Sequence, residues 1–267
     1  MGSRTASLSL IFVFSACAGE KASLGRQLFF DKRLSVNDSV SCASCHRPDR
    51  AFTDGAATSK GIDGKLGLFN SPSVLNRAKG KRFFWDGRAE TLEKQAEGPL
   101  LNPAEMGNTR SGLEEKLNSI PSYKSRFAKV YKDPEITLER VADALAAYQK
   151  TLQSKASLYD DWKRGRRDHW TVNHEFGRQL FFGTAGCSAC HNGQNFTNEE
   201  LVADEKGKLW KVPSLRELTQ TAPYFHDGRY VTLEEVLLNH GNAKNFDAGA
   251  KQALLLFLES LSGEYSR

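Results

Sequence analysis

Two short stretches decide the fold: Cys42-Ala43-Ser44-Cys45-His46 and Cys187-Ser188-Ala189-Cys190-His191. Both have the pattern C-x-x-C-H, the attachment signature of c-type haem. Two cysteines at this spacing lie about one helical turn apart and can add to the two vinyl groups of a haem, and the next residue can ligate its iron. Zinc sites and thioredoxin-like redox pairs also use C-x-x-C. Neither requires a histidine directly afterwards, so the sequence predicts two covalent haems c, ligated by His46 and His191.

The two motifs belong to a longer internal repeat. The segment 25–30, Gly-Arg-Gln-Leu-Phe-Phe, recurs at 177–182, just upstream of the second motif, and Phe52-Thr53 recurs at 196–197. Three further pairs share an offset of 141 positions, as from 72 to 213. They are Pro72-Ser73-Val74 with 213–215, Asp86-Gly87-Arg88 with 227–229, and Thr91-Leu92-Glu93 with 232–234. Two homologous haem domains are the simplest account.

The segments between the repeated motifs have mostly helical periodicity. Apolar residues recur at helical spacing over 113–131, 138–152 and 250–261, and Thr137 is expected to begin the second of these helices. Alternating strand patterns are scarce, and the polar run 163–168 is typical of a connection. We therefore predict a mainly α fold of two tandem cytochrome c-like haem domains, 17–155 and 174–267, related by internal duplication and joined by a connector over 156–173.

The N-terminus has the features of an export signal. Arg4 precedes the apolar stretch Leu8–Phe14, which is too short to span a bilayer and is followed by small residues. Phe14-Ser15-Ala16-Cys17 is similar to a bacterial lipobox, in which the cysteine is lipidated and becomes the first mature residue. An ordinary signal peptide with an incidental cysteine is the alternative. Because an unpaired thiol is unusual in an oxidising compartment, we expect a signal at 1–16 and a periplasmic lipoprotein anchored to a membrane only by lipid.

Composition excludes little beyond nucleic-acid binding. A chain of 267 residues with 39% hydrophobic and 26% charged residues can bury one large core or two smaller ones. Its formal net charge of +5 is modest, and the lysines and arginines are scattered along the chain. A nucleic-acid partner therefore has little support.

The order of further motifs along the chain is also informative. Between the haem motifs come Asn70-Ser71-Pro72-Ser73-Val74, Trp85-Asp86-Gly87-Arg88 and Asn102-Pro103-Ala104-Glu105-Met106-Gly107, and after the second motif comes Pro223-Tyr224-Phe225-His226-Asp227-Gly228. This order resembles the bacterial dihaem cytochrome c peroxidases and their MauG-like relatives over nearly the whole mature chain. The resemblance implies that the N-terminal haem is the high-spin peroxide site and that the C-terminal haem passes electrons to it. It also implies a calcium ion between the domains.

The resemblance assigns catalytic roles to three residues. Cleavage of the O–O bond needs a base for the first proton and delivery of that proton to the leaving oxygen. Glu105 matches the distal acid–base glutamate of the family, and Gln95 matches a glutamine of the distal pocket. A glutamate after Pro103, taken alone, is more often a first-turn helix residue. Trp85 matches the tryptophan that the family places between the haems, whereas core packing is the more common role of a tryptophan.

The calcium ligands are carried over in the same way. The resemblance implies that Asn70 supplies its side-chain oxygen and that Thr221 and Pro223 supply their backbone carbonyls. Such oxygen atoms are the ligands that calcium prefers, with waters completing the shell.

One departure from the family pattern concerns the N-terminal haem. Peroxidases that rest in an inactive oxidised form cap the peroxide-reactive iron with a histidine from the loop after the first motif. Counted back from Asn70-Ser71-Pro72, that position is Ile62, and no histidine lies between His46 and His169. We therefore expect His46 to be the only protein ligand of this iron, which leaves its distal side open without prior reduction.

A second departure concerns the C-terminal haem. His240 occupies the position that holds a distal methionine in typical family members or a tyrosine in MauG. Met1 and Met106 are the only methionines of the chain, so the C-terminal half supplies none. We expect His191 and His240 to form a bis-histidine haem with a lower potential than a His/Met pair. A surface histidine before Gly241 at a helix end is the alternative.

Three functions are consistent with these residues. The first is a peroxidase that reduces hydrogen peroxide to water with electrons from a small redox protein, a cytochrome c or a cupredoxin. The second is a MauG-like enzyme that uses peroxide to oxidise an aromatic residue of a partner protein. The third is an electron carrier, which an open iron and Glu105 disfavour because pure electron transfer works best with both axial positions filled. Dimers are common in the family, so a homodimer is among the expected assemblies.

Overall fold

The computed structural model describes residues 8–265, with side chains from Gly19 onward. Of the predicted export signal, residues 1–7 with Arg4 therefore lie outside the described residues, as do the side chains of 8–16 and of Cys17. Among the described helices, none combines the length and the apolar character needed to cross a bilayer. Helices dominate the described part, and its named strands form two two-stranded sheets. The predicted mainly α class is confirmed.

The chain divides into two compact units, each assembled from several segments. The first unit contains residues up to 44 with 61–65 and 92–151, and the second contains 45–60, 66–91 and 152–267. The predicted domain boundaries stay a prediction. The α-helices are α1 (Leu8–Phe30), α2 (Cys42–Cys45), α3 (Leu92–Leu101), α4 (Arg110–Asn118), α5 (Pro121–Tyr131), α6 (Leu138–Gln149), α7 (Leu158–Lys163), α8 (Val172–Phe182), α9 (Leu233–Asn239) and α10 (Ala248–Glu259). The strands are β1 (Ser154–Ser157), β2 (Leu201–Ala203), β3 (Leu209–Lys211) and β4 (Gly263–Tyr265).

The core of the first unit forms where α1 and α3 pack on α6. Leu24 and Leu28 are fully buried on the inner face of α1. Gly25 lies between them, and a Cβ atom there would sit 1.8 Å from the Ala144 carbonyl oxygen. Only glycine therefore permits the close approach of these two helices.

The second unit contains the same helix contact. Helix α8 packs on α10, and a Cβ atom at Gly177 would lie 1.9 Å from the Ala253 carbonyl oxygen. Phe181 and Phe257 are both fully buried, with ring centroids 5.0 Å apart. Gly25 and Gly177 are corresponding members of the sequence repeat, so the repeat reproduces a specific backbone approach in each unit.

The predicted helices agree with the structure except at their ends and at one break. Thr137 caps α6 as predicted, because its side chain accepts a hydrogen bond from the Arg140 N–H. The pattern over 113–131 belongs to two helices, α4 and α5, and the second starts at Pro121. Proline lacks an N–H group and disfavours helical geometry in the residue before it, so one continuous helix cannot pass this point. The predicted connector contains α7, which begins after the capping residue Ser157.

The two sheets join segments of the second unit. Strands β1 and β4 pair antiparallel, with Ser154 opposite Tyr265. Strands β2 and β3 form an antiparallel hairpin in which Val202 lies opposite Trp210. The Asp204 side chain accepts hydrogen bonds from the N–H groups of Lys206 and Lys208 within the hairpin turn. This turn fixes the backbone from which Trp210 projects.

Candidate haem sites

Each C-x-x-C-H motif forms a single tight turn. Residues Cys42–Cys45 form one turn of α-helix, α2. Residues Cys187–Ala189 form a 3-10 turn, and the His191 N–H donates to the Cys187 carbonyl at 2.9 Å. A turn at this spacing presents both sulfurs on one side, as attachment to the two vinyl groups of a haem requires. Both motifs therefore fit the predicted haem.

The two motif histidines are oriented by equivalent hydrogen bonds. His46 Nδ1 lies 3.1 Å from the Phe52 carbonyl oxygen, and His191 Nδ1 lies 3.2 Å from the Phe196 carbonyl oxygen. Because a carbonyl oxygen can only accept, each Nδ1 carries the proton, so Nε2 is the ring nitrogen whose lone pair can ligate a metal. Burial lowers the pKa of His46, and burial together with the nearby His240 lowers the pKa of His191 to about 4. Both imidazoles are therefore neutral, the form that binds iron.

The repeated Phe-Thr and Pro-Ser segments explain how these carbonyls are aimed. Phe52 and Phe196 have positive φ angles of 58° and 52°. The residue before each phenylalanine is held by a serine hydroxyl: Ser73 donates to the Ala51 carbonyl at 2.6 Å, and Ser214 donates to the Asn195 carbonyl at 2.7 Å. The repeat therefore encodes a loop that orients the histidine, in addition to the haem attachment itself.

His240 lies next to His191 in the second unit. It ends α9 in extended geometry, and Gly241 follows with a φ of +63°. The ring centroids of His191 and His240 are 6.3 Å apart, and the ring planes are inclined by 73°. Two imidazoles on one metal need about 2 Å for each metal–nitrogen bond and about 1.1 Å from each nitrogen to its ring centroid, roughly 6 Å in total. The observed spacing agrees with that requirement.

Glu105 lies in the first unit, in the loop that follows α3. The Asn102 side-chain Nδ2 donates to Glu105 Oε1 at 2.7 Å, while Asn102 Oδ1 accepts from the Ala104 N–H at 2.9 Å. The second hydrogen bond fixes the direction of the amide, so its donor must face the carboxylate. Gln95 is half-buried on α3 of the same unit.

Residues 61–65 pack against the loop that contains Glu105 and form a hydrogen bond with it. The Ile62 N–H donates to the Glu105 carbonyl oxygen at 2.8 Å, and the Ile62 side chain is only 5% exposed. A Cβ atom at Gly61 would lie 1.9 Å from the Ala104 carbonyl oxygen, so glycine is needed for this contact. The position predicted to lack a capping histidine therefore holds a packed aliphatic side chain.

Trp85, Asn70 and His226 come together in the second unit. The Trp85 Nε1–H donates to the Asn70 carbonyl oxygen at 2.8 Å, and the Asn70 N–H donates to the His226 carbonyl oxygen at 2.8 Å. The Asn70 side-chain Nδ2 donates to the Ala56 carbonyl oxygen at 2.8 Å. With the amide fixed in this way, Oδ1 is the atom that can face a cation.

The other two predicted calcium ligands follow a short 3-10 turn of the same unit. Thr221 ends the turn Leu218–Gln220, and Pro223 follows through a cis Ala222–Pro223 peptide bond. Within residues 19–265, whose side chains the structure describes, no three histidine, cysteine or carboxylate side chains cluster as a metal site. A cation in this part of the chain would be held by carbonyl and amide oxygens, which calcium accepts.

Two residues of these sites were not singled out from the sequence. Asn102 stood in a quoted stretch, but only the structure shows that its amide faces Glu105. Trp210 stacks on His226 with ring centroids 3.6 Å apart and planes inclined by 16°. In the sequence, Trp210 only follows the polar run 204–208, which does not predict that partner.

The two haem motifs, with their histidines held in equivalent ways, define a dihaem c-type cytochrome fold. Residues 19–168 match the family model described as di-haem cytochrome c peroxidase. The chain belongs to this family, as the order of its motifs predicted.

Relatives of two kinds are similar over most of the chain. Cytochrome c551 peroxidase of Nitrosomonas europaea is 35% identical, covering 92% of this chain and 80% of that protein. Methylamine utilization protein MauG of Methylorubrum extorquens is 36% identical, covering 92% of this chain and 79% of that protein. The crystal structure of a MauG-like protein associated with microbial copper homeostasis has a TM-score of 0.81 and 28% identity, covering 92% of this chain and 90% of that one.

Proposed function

We propose that this protein reduces hydrogen peroxide to water at the haem attached to Cys42 and Cys45. The electrons come from a small redox protein, a cytochrome c or a cupredoxin, through the haem attached to Cys187 and Cys190. The observation that carries the proposal is the Glu105 carboxylate, aligned by the Asn102 amide at 2.7 Å in a chain of the di-haem peroxidase family.

A haem bound here would supply the iron and the electron exchange that peroxide reduction requires. Glu105 accepts the first proton of the peroxide and returns it to the leaving oxygen, so that water departs. The Asn102 amide keeps the accepting carboxylate of Glu105 oriented. Gln95 is assigned as a second polar group on the distal side of this haem. The packed side chain of Ile62 is consistent with a distal side that no protein ligand caps.

We assign His191 and His240 as the two axial ligands of the second haem. Support comes from the 6.3 Å between their ring centroids and from the Phe196 carbonyl, which holds His191 Nδ1 so that Nε2 is left for the metal. Two imidazole ligands lower the reduction potential relative to one imidazole and one thioether. The donor protein must therefore have a correspondingly low potential.

We further assign one calcium ion to Asn70 Oδ1 and the carbonyl oxygens of Thr221 and Pro223. The fixed direction of the Asn70 amide supports the first ligand. The same asparagine accepts the Trp85 indole hydrogen bond on its backbone carbonyl. Calcium would consequently stabilise the placement of Trp85, the third residue assigned to the reaction. Export to the periplasm with a lipid on Cys17 completes the proposal.

Steady-state kinetics test this function and separate it from the MauG-like alternative. The holoprotein, loaded with both haems, is mixed with hydrogen peroxide and a reduced small cytochrome c or cupredoxin. The proposal expects two donor molecules to be oxidised for each peroxide consumed. Peroxide consumption that oxidises aromatic residues of an added partner protein, with no donor oxidation, would instead identify a MauG-like enzyme. No reaction with peroxide would leave only an electron carrier.

A further inference from the structure

Four aromatic rings form a continuous cluster beside the β2–β3 hairpin, and the peroxide chemistry above uses only Trp85 among them. Trp210 stacks on His226 with a centroid separation of 3.6 Å, and Phe69 meets the Trp210 ring edge-on at 5.5 Å. Trp85 lies next to His226, with ring centroids 6.5 Å apart. We call these four residues the hairpin cluster. It connects Trp85 with Trp210, which is half-buried at the surface of the second unit.

The Trp210 indole has a carboxylate, that of Asp204, as its hydrogen-bond acceptor. Its Nε1–H donates to Asp204 Oδ2 at 2.8 Å, and Asp204 Oδ1 accepts the Lys206 and Lys208 backbone N–H groups. The hydrogen bond from Trp210 is the main cause of a lowered pKa of Asp204. The carboxylate is therefore ionised at neutral pH, and the three hydrogen bonds hold its Oδ2 beside the Trp210 Nε1 proton.

A neighbouring cation determines the form in which Trp210 could be oxidised. Lys208 Nζ lies 4.3 Å from the centroid of the Trp210 ring. This ammonium stabilises the neutral, electron-rich ring and opposes a positive charge on it. Loss of an electron from Trp210 is consequently favourable only when the Nε1 proton leaves as well, and Asp204 is positioned to take it.

We propose that Trp210 is a one-electron oxidation site at which oxidising equivalents reach the protein surface. The inference rests on the proposed peroxidase function, since hydrogen peroxide is the oxidant. Reduction of one peroxide to two waters takes two electrons and two protons. One of these electrons leaves the Trp210 indole, the other is supplied by the haem pair as in the proposed function, and the two protons come from solvent. The Nε1 proton of Trp210 moves to Asp204, which gives a neutral indolyl radical and a carboxylic acid. An external one-electron donor then reduces the radical, and Asp204 returns the proton.

The test uses the full-length dihaem protein treated with hydrogen peroxide in the absence of any electron donor. Electron paramagnetic resonance of frozen samples detects amino-acid radicals, and mass spectrometry of the digest locates oxygen added to tryptophan. Trp210→Phe keeps an aromatic ring at the position but removes the Nε1–H. Trp162→Phe is the matched control, because Trp162 stacks on Trp170 at 5.1 Å in the same unit and lies outside the hairpin cluster. Asp204→Asn removes the proton acceptor.

We expect the radical signal in the parent protein and in Trp162→Phe, and its loss in Trp210→Phe. The signal should be much weaker in Asp204→Asn. Mass spectrometry of the parent should show oxygen addition at Trp210. A radical signal in Trp210→Phe equal to that of the parent, or oxygen addition only at other tryptophans, would overturn the inference about Trp210. If the protein still consumes peroxide in that case, the proposed peroxidase function stands. A parent protein whose haem spectrum does not respond to peroxide would overturn both.

Discussion

The Asn102 amide donates a hydrogen bond to Glu105 Oε1 at 2.7 Å, and its direction is fixed because Asn102 Oδ1 accepts the Ala104 N–H at 2.9 Å. The variant Asn102→Asp keeps the hydrogen bond from Ala104 and removes the one to Glu105. The aspartate oxygen still accepts from Ala104, but a second carboxylate replaces the donor that faces Glu105. Two carboxylates this close share a proton, so Glu105 becomes a poor base. We expect the rate of reaction with peroxide to fall by about 10- to 100-fold, as for other residues that orient a reacting group.

Asn37→Asp is the matched control for this variant. Asn37 makes the same pair of hydrogen bonds at an exposed site: Oδ1 accepts from the Ser39 N–H and Nδ2 donates to Asp63. We expect its peroxide rate, followed by stopped-flow absorbance, to stay near that of the parent. Equal rates in Asn102→Asp and Asn37→Asp would show that Asn102 does not position Glu105.

The proposed ligation by His240 predicts the properties of the second haem. The oxidised protein should contain one high-spin haem and one low-spin bis-histidine haem. His240→Met should raise the potential of the C-terminal haem, because a thioether favours ferrous iron, and His240→Ala should convert its iron to high spin. Spectroelectrochemistry and electron paramagnetic resonance measure both effects, with His169→Ala as the control histidine. A low-spin signal that survives both His240 substitutions would assign the ligand to another residue.

The resting protein should react with peroxide without a reductive step. Ile62 packs at the position of the capping histidine, and its N–H holds the Glu105 carbonyl. We expect the fully oxidised, as-isolated protein to respond to peroxide as fast as a sample first reduced by one electron. Stopped-flow mixing of the two samples compares the rates. A resting spectrum in which both haems are low-spin, and in which the N-terminal iron becomes high-spin only after partial reduction, would contradict this expectation.

The close approach of α8 to α10 depends on Gly177. A methyl group there would meet the Ala253 carbonyl oxygen, so Gly177→Ala should lower the free energy of unfolding by about 1–3 kcal/mol. Gly249→Ala, in α10, is the control, because its nearest neighbour lies at an ordinary 3.4 Å. Alanine there should raise helix stability by roughly 0.5–1 kcal/mol. Urea unfolding of both holoproteins checks the contrast, and equal stabilities would show that α8 can move away from α10.

Local features of the chain were predictable from the sequence, whereas contacts through backbone atoms were not. The C-x-x-C-H motifs and the Thr137 cap depend on residues within one turn of each other. The Phe52 carbonyl that orients His46 has no side-chain signature, although the repeat of Phe52 at 196 marked the position. The 113–131 pattern was assigned to one helix because apolar spacing continues across the break at Pro121. The stacking of Trp210 on His226 depends on how a hairpin meets a distant loop, which periodicity does not encode.

Glu105 is the residue assigned to move the proton in peroxide reduction. Glu105→Gln keeps the size of the side chain but removes its ability to accept a proton. The most direct measurement is the rate of peroxide turnover by this variant, in protein whose absorbance spectrum shows both haems attached. We predict a loss of about two to four orders of magnitude, the usual contribution of a general base. Turnover near the parent rate in the fully loaded variant would show that Glu105 does not move this proton.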